Sequence, residues 1–573
     1  MKMKKNIFVI VALAVVALTG CDFLDHEPDM RATIDTKEKV QLLLVSAYTE
    51  ANAGAICEFS SDNIVDNNAP NEVGFTYSLS PLDQMYDEIF AWQPVKTSDQ
   101  QDSPKFIWDG CYLAIASANQ ALKAIEKLEA EGVNMDAEKG EALLCRAYHH
   151  FLLAGVFCHT WKDAEQSKND LGITYMLEPE TKVAPQYERG TLYDTYMAIE
   201  KDLEEGLKLV SDEYYTVPRY HFNVKAAHAF AARFYLYKRE WAKVLEHANY
   251  VLGVVDETTL EILFDAQKAR DLGDPEQELR QVWIDTNSPA NLLIYITMSQ
   301  APYTLIPSYG RYQYNGSVSK AVTLSTGPCW SGQWPGWAQW MYSQEYGTFC
   351  AKFLSLFEYT DKVNGYGYIH GSTRAFTTNE TLLCRAEAKL YLGDMEGAIN
   401  DLKLWAQSYN VDGKMKLEDM NYNKLQSFYA SASAHLTQKL NTELISPEFV
   451  VTAEQLPIVY CLLHFRRIET LHDGLRWQDI KRYGIEITHK QGVNGEYHLL
   501  WNDDRRAIQL PNEVLMAGMT PNPRVIVGDP EAASAVTVTP STNPYELTAI
   551  IPYLNKAVGA GKPIRYEVDD EDK

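Results

Sequence analysis

Residues 382–408, LLCRAEAKLYLGDMEGAINDLKLWAQS, place apolar and small side chains at three- and four-residue spacing as far as Leu392. Gly393-Asp394 breaks the pattern, and a second amphipathic run starts at Met395. This predicts two helices joined by a tight turn, with small residues where they approach. The pentapeptide LLCRA also occurs at 143–147, in a helical pattern over 141–157 that follows another over 106–128. Residues 231–253 fit the same mould: Ala232, Tyr235, Leu236 and Ala242 stand 156 positions before Ala388, Tyr391, Leu392 and Ala398. One such hairpin cannot bury its apolar face alone, so a stack of tetratricopeptide-like units is predicted. Residues 191–210 add an amphipathic helix, with Thr191 as its cap and Asp194 three residues on.

Between about 260 and 375 the helical period fades, and Gly, Pro, Tyr and Trp rise. QVWID (281–285) and LLIYITM (292–298) predict short strands. Four of the 12 tryptophans, Trp330, Trp334, Trp337 and Trp340, crowd into one stretch. Their spacing would line one helix face, but Gly332, Pro335 and Gly336 interrupt it. Pro335 is expected to start a short helix carrying Trp337 and Trp340, leaving Trp330 and Trp334 in a loop. Trp330 and Trp340 fit packing in core or loop. Trp334 and Trp337 are the candidates to lie against a ligand, such as the apolar face of a sugar ring. Irregular segments inside repeat scaffolds are more often binding loops than spacers. The expected fold is mainly α: tetratricopeptide-like hairpins with a loop-rich, partly β insertion carrying the binding surface.

The chain begins with Lys2, Lys4 and Lys5, then an apolar run over 7–18 too short for a lasting span. Leu18-Thr19-Gly20-Cys21 follows and reads as a lipobox, with Cys21 acylated as a membrane anchor. A net charge of −25 at pH 7 disfavours nucleic acid as a partner. Of nine cysteines, Cys145, Cys384 and Cys461 sit in apolar helical patterns and read as buried thiols. Cys329 and Cys350 bracket the tryptophans, and spacing leaves open whether they are bridged.

No HExxH, G-x-S-x-G or EF-hand pattern occurs, and GAGKP (559–563) lacks the spacing and hydroxyl of a phosphate loop. No catalytic residue, metal ligand or cofactor is expected. Adjacent His149 and His150 would point about 100° apart on a helix, a poor arrangement for one shared metal. In FRRIETLHDGLRWQDIKRYG (465–484), Arg476, Asp479 and Arg482 share a helix face and fit an ion-pair network.

Together these motifs resemble the SusD/RagB family of nutrient-binding outer-membrane lipoproteins. The resemblance rests on Cys21 with DFLDHEPD (22–29), CRAYHHFLL (145–153), LGITYMLEPET (171–181) ahead of the Arg189 helix start, and the last hairpin. Most specific are Arg467, Glu469, Gly474, Arg476, Trp477, Asp479 and Arg482, although Asp473-Gly474 stands where the family has Glu-Gly. The resemblance implies a helical lid, lipid-anchored at Cys21, on the exterior of the outer membrane. It implies pairing with a SusC-like TonB-dependent transporter and capture, without cleavage, of oligo- or polysaccharide. The domain reading is a signal peptide at 1–20, an N-terminal helical region at 21–260, and a C-terminal region at 261–573. That last region holds the insertion (about 261–375), the last hairpin and a loop-rich tail. The resemblance also implies a glycan platform joining an early loop, with Trp92, Gln93 and Asn67, to the middle segment, with Tyr309, Arg311, Tyr312 and Tyr314. Rival readings are a peptide-binding member of the same fold, a helical-toroid glycoside hydrolase with paired carboxylates, and a structural repeat adaptor.

Overall fold

The computed structural model describes residues 34–524, apart from 72–73, 97, 181–186, 272–281, 306–309, 324–325, 333–338, 344–346 and 351–355. Three short helices, α1 (Lys37–Leu44), α2 (Ala53–Phe59) and α3 (Met85–Phe90), lead into the first long hairpin. Its arms are α4 (Pro104–Ala130) and α5 (Asp136–Phe157). The Ser103 side chain accepts from the Phe106 N–H and Pro104 opens the first turn, so α4 starts where its backbone donors are satisfied. Its buried face, including Ile107, Cys111, Ile115, Ala118, Ile125 and Leu128, follows helical spacing. Against α5 packs α6 (Leu192–Leu209), which begins with the predicted Thr191–Asp194 capping box.

The remaining hairpins are α7 (Val224–Lys238) with α8 (Trp241–Leu252), and α10 (Thr378–Tyr391) with α11 (Met395–Ser408). Between them in the chain lies the short α9 (Gly316–Val322). The repeated LLCRA motif has one structural meaning. Arg146 on α5 donates to Asp202 on α6 at 2.6 and 2.8 Å. Arg385 on α10 donates to Asp401 on α11 at 2.9 and 2.8 Å. Each arginine clamps its helix to the next one.

Two further helices, α12 (Leu456–Glu469) and α13 (Leu475–Arg482), carry the Arg-rich motif, which is structural as predicted. Asp479 takes Arg466 at 2.8 Å and Arg482 at 2.9 Å, and Arg482 also reaches Glu387 on α10. Arg467 and Arg476 pair with Asp62, far back in the chain. Gly474 opens α13 with φ +75°, and a Cβ there would lie 2.4 Å from the Gly54 carbonyl oxygen, so only glycine lets α13 meet α2.

Among the described residues the named strands pair antiparallel: β1 (Val65–Asp66) with β3 (Tyr312–Gln313), β2 (Asn291–Thr297) and β6 (Leu356–Asp361) flanking β7 (Tyr366–Thr377), β4 (Gln339–Ser343) with β5 (Gly347–Cys350), and β8 (Ile487–Gln491) with β9 (Gly495–Leu499). The strand expected at 292–298 is β2. That expected at 281–285 is instead a helical turn over 282–284, with Trp283 stacked on Phe264 at 4.2 Å. Trp340 lies on β4, paired with Phe349, and not on a short helix. Cys329, like Cys145, Cys384 and Cys461, is a buried free thiol. Tyr148, Phe222, Phe230 and Phe376 meet at the centre of one continuous apolar core. Among the described residues, no helix is long and apolar enough to cross a membrane.

Candidate functional site

The early loop and the middle segment converge, and β1–β3 is the seam: Val65 pairs with Gln313 and Asp66 with Tyr312. Asp66 accepts from Arg311 Nη2 at 2.9 Å, from the Asn68 N–H at 2.9 Å and from the Gly492 N–H at 2.8 Å. Arg311 also pairs with Asp87 at 2.7 Å. Burial works against the Arg311 charge, and Asp66 more than offsets this, holding the guanidinium above its ordinary range. The Tyr312 hydroxyl donates to Asp87 and accepts from Gln491 Nε2 at 2.8 Å. Asn67 Nδ2 donates to Gly310 O at 2.8 Å and Gln313 Oε1 at 3.1 Å, while its Oδ1 accepts from Asn315 at 3.0 Å. These bonds tie three distant parts of the chain into one polar layer.

Underneath, Trp92 is 5% exposed and adopts φ +54° just past α3. Its indole N–H donates to Ser60 O at 2.9 Å, and its ring stacks on His489 at 4.3 Å. Burial pushes the His489 imidazole down to about 4, so it is a neutral packing partner near pH 7. Tyr312 packs on Phe90 at 4.8 Å, and Tyr314 is buried with its hydroxyl on Thr323. The expectation that Trp92, Tyr312 and Tyr314 present rings to a ligand is therefore corrected: all three are core side chains. Asn67 is likewise buried, with its amide oxygen and nitrogen both engaged, whereas Gln93 is exposed at the rim. Tyr309, Trp334, Trp337 and Cys21 lie outside the described residues. Trp330, expected in packing, is buried against His464 and Phe465.

A further aromatic pair, outside the residues that the resemblance implies, stands on the loop after β1, with Tyr77 half-buried. Phe75 is 52% exposed, and its ring meets Tyr77 edge-on at 4.8 Å. Their loop is pinned to the polar layer by Asn68, which bonds both the N–H and the carbonyl of Leu79 at 2.8 Å. In the sequence the pair stands in Gly74-Phe75-Thr76-Tyr77, within a stretch that also holds Val73, Leu79 and Leu82. The loop thus carries an aromatic pair and is tied through Asn68 to Asp66 and its partner Arg311, a mix of flat apolar and hydrogen-bonding groups suited to a polyhydroxylated ligand.

The two histidines of α5 are structural ties. His149 Nε2 accepts from the Thr49 N–H and His150 Nε2 from the Met176 N–H, both at 3.0 Å, while each Nδ1 faces a carbonyl one turn back. Burial pushes them down to about 4 and about 3. Among the described residues, no cluster of three or more side chains suited to a metal occurs.

Helical hairpins closed by an arginine-rich helix pair, with small antiparallel sheets, make the architecture of the chain. Residues 22–236 match the SusD-like family described as starch-binding and associating with the outer membrane. No curated protein matches the chain. Among solved structures, a putative sugar-binding protein from Bacteroides vulgatus aligns with TM-score 0.59 and 16% identity, over 86% of this chain and 99% of that one. A SusD superfamily protein from Bacteroides thetaiotaomicron aligns with TM-score 0.55 and 17% identity, over 86% and 100%. Residues 22–236 are thus SusD-like in sequence, and the chain shares the fold of these two solved structures.

Proposed function

We propose that this chain is a lipid-anchored glycan-binding protein of the outer membrane, which captures oligo- or polysaccharide at the cell exterior and passes it, uncleaved, to a SusC-like TonB-dependent transporter. The observation that carries the binding part is the early loop: exposed Phe75 meets Tyr77 edge-on, and Asn68 ties their loop to Asp66, the partner of Arg311. Rings of this kind stack on the apolar face of a sugar, each contributing about 1 kcal/mol beyond its area. The family's description as starch-binding and outer-membrane-associating, and the lipobox at Cys21, support the location. Trp334 and Trp337 extend the same proposal to the tryptophan stretch.

The test is affinity electrophoresis of the detergent-solubilised full chain through gels carrying neutral or acidic polysaccharides. Retardation by one polymer is expected, and the double variant Phe75→Ala, Tyr77→Ala should bind roughly tenfold more weakly or worse. Trp334→Ala tests the second stretch in the same gels. Unchanged retardation of the double variant would remove the seam as the platform, and retardation by no polymer would turn the reading toward peptides or toward partner docking.

A further inference from the structure

We propose that a second cavity, formed where the end of α5 meets α13 and the chain after β9, binds a monoanionic sugar unit. The cavity has a volume of about 100 Å³ and shares no residue with the Asp66–Arg311 seam. The inference does not depend on the glycan-capture reading.

Charge is the first argument. Lys162, Lys481 and Arg506 line the cavity with Asp170 and Asp504, which leaves one surplus positive charge in a chain whose net charge is −25. Lys162 already pairs with Asp170 at 2.9 Å. Lys481 is 2% exposed and donates to the carbonyls of Gly155 at 2.7 Å and Cys158 at 3.0 Å, capping the end of α5. An ammonium has three donors, so one remains for the cavity it lines. Arg506 is 3% exposed and gives its hydrogen bonds to the carbonyls of Leu500, Ile480 and Ile485. Neither cation has a carboxylate at ion-pair distance among the described residues. Asp503 and Glu486 act on Arg506 only from beyond ion-pair distance; buried cations without a close counter-charge are costly, and a bound anion supplies one. The neighbouring imidazole responds to the same field. Burial first, then Lys162, Lys481, Arg506 and Arg524, push His159 down to about 3.

The second argument is the rest of the lining. Half-buried Trp501 adds an aromatic surface, and Thr160 and Asn502 add hydroxyl-bonding groups. An aromatic ring with short polar side chains suits a sugar better than a bare small ion. A single negative charge matches the surplus. A dianion would leave excess negative charge beside Asp170 and Asp504. The shared chemistry is a sugar with one acidic group, either a carboxylate or a sulfate ester.

The experiment is calorimetric titration of the detergent-solubilised full chain with D-glucuronate, glucose 6-sulfate, D-glucose and acetate, with saturation-transfer NMR as a second readout. Binding of one or both acidic sugars is expected, and which one binds identifies the source of the charge. Glucose and acetate should bind about tenfold more weakly or worse. Asn502 is exposed, so its variants should fold. Asn502→Asp cancels the surplus charge and should weaken the acidic sugar roughly tenfold, while Asn502→Lys should not weaken it. Lys481→Met should also weaken it, with a thermal melt to report the loss of the α5 cap. Failure of both acidic sugars to bind, equal binding of glucose or acetate, or an unchanged affinity in Asn502→Asp would each overturn the proposal. Polysaccharide retardation in gels, which reads the seam, should be the same for Asn502→Asp and the parent chain.

Discussion

Asp62 is a single carboxylate on which two arginines converge. Arg476 reaches it at 2.8 and 2.9 Å, Gln438 at 2.9 Å, and Arg467 pairs with it at 3.3 Å. Burial opposes the charge, but the two guanidinium groups hold this carboxyl well below the ordinary range. Asp62→Asn leaves two buried cations without their partner and should cost about 3–5 kcal/mol in denaturant unfolding. A loss below 1 kcal/mol would show that the arginines find other partners. Asp102 is the opposite case. It is fully buried and accepts from the N–H groups of Gln300 and Ala301, yet no cation pairs with it among the described residues. Burial raises its carboxyl from 3.8 to about 6, with the hydrogen bonds from Ser299 and those two N–H groups opposing the rise. The folded chain therefore holds a proton that the unfolded chain has already released in this window. Stability falls as pH rises from 3.8 to about 6, and the loss persists above it. Against the wild type, Asp102→Asn should gain on the order of 3 kcal/mol between pH 4 and pH 7, read as unfolding free energy against pH. A difference that stays flat across that range would refute this account.

At the scale of elements, the two copies of LLCRA make a paired prediction. Arg146 and Arg385 each clamp a hairpin helix to its neighbour through one buried aspartate. Asp202→Asn and Asp401→Asn should therefore cost similar amounts, about 3–5 kcal/mol each. A large cost for one and none for the other, in parallel urea melts, would mean that the motif recurs without a shared role. The hairpins were legible because a 3.6-residue period sustained over twenty residues is a strong signal, and the Thr191–Asp194 cap was legible because its chemistry is local. The short elements were not. Trp283 was read as strand, but its surroundings decide its conformation: it lies on Phe264, with Arg374 over its ring at 4.3 Å. Trp340 sits in a strand because a partner, β5, pairs with it, which no helix-start signal could reveal.

The whole molecule explains why the site was only half legible. The resemblance implied that an early loop and the middle segment converge, and they do, across β1 and β3. What it did not reveal was which rings point inward. Trp92 and Tyr312 have the composition of a platform, yet they are covered because His489 and Gln491 arrive from almost 400 residues beyond Trp92 and 179 beyond Tyr312. Phe75 stays exposed on its own loop, with Tyr77 half-buried beside it. The same long closure shapes the unfolding. Arg467 reaches Asn63 at 2.7 Å, the His472 N–H reaches Glu58 at 3.0 Å, and Arg476 reaches Asp62, so α12 and α13 are bolted to the start of the fold. One continuous apolar core runs through the same contacts. A repeat stack without such a closure would melt in segments. This one should show a single calorimetric transition, with calorimetric and van't Hoff enthalpies in agreement. Asp62→Asn should lower its midpoint without splitting it. Two resolved transitions in the parent chain would mean that the hairpin stack and the arginine-rich closure fold independently, and that the bonds between residues 58–63 and 467–476 do not couple them.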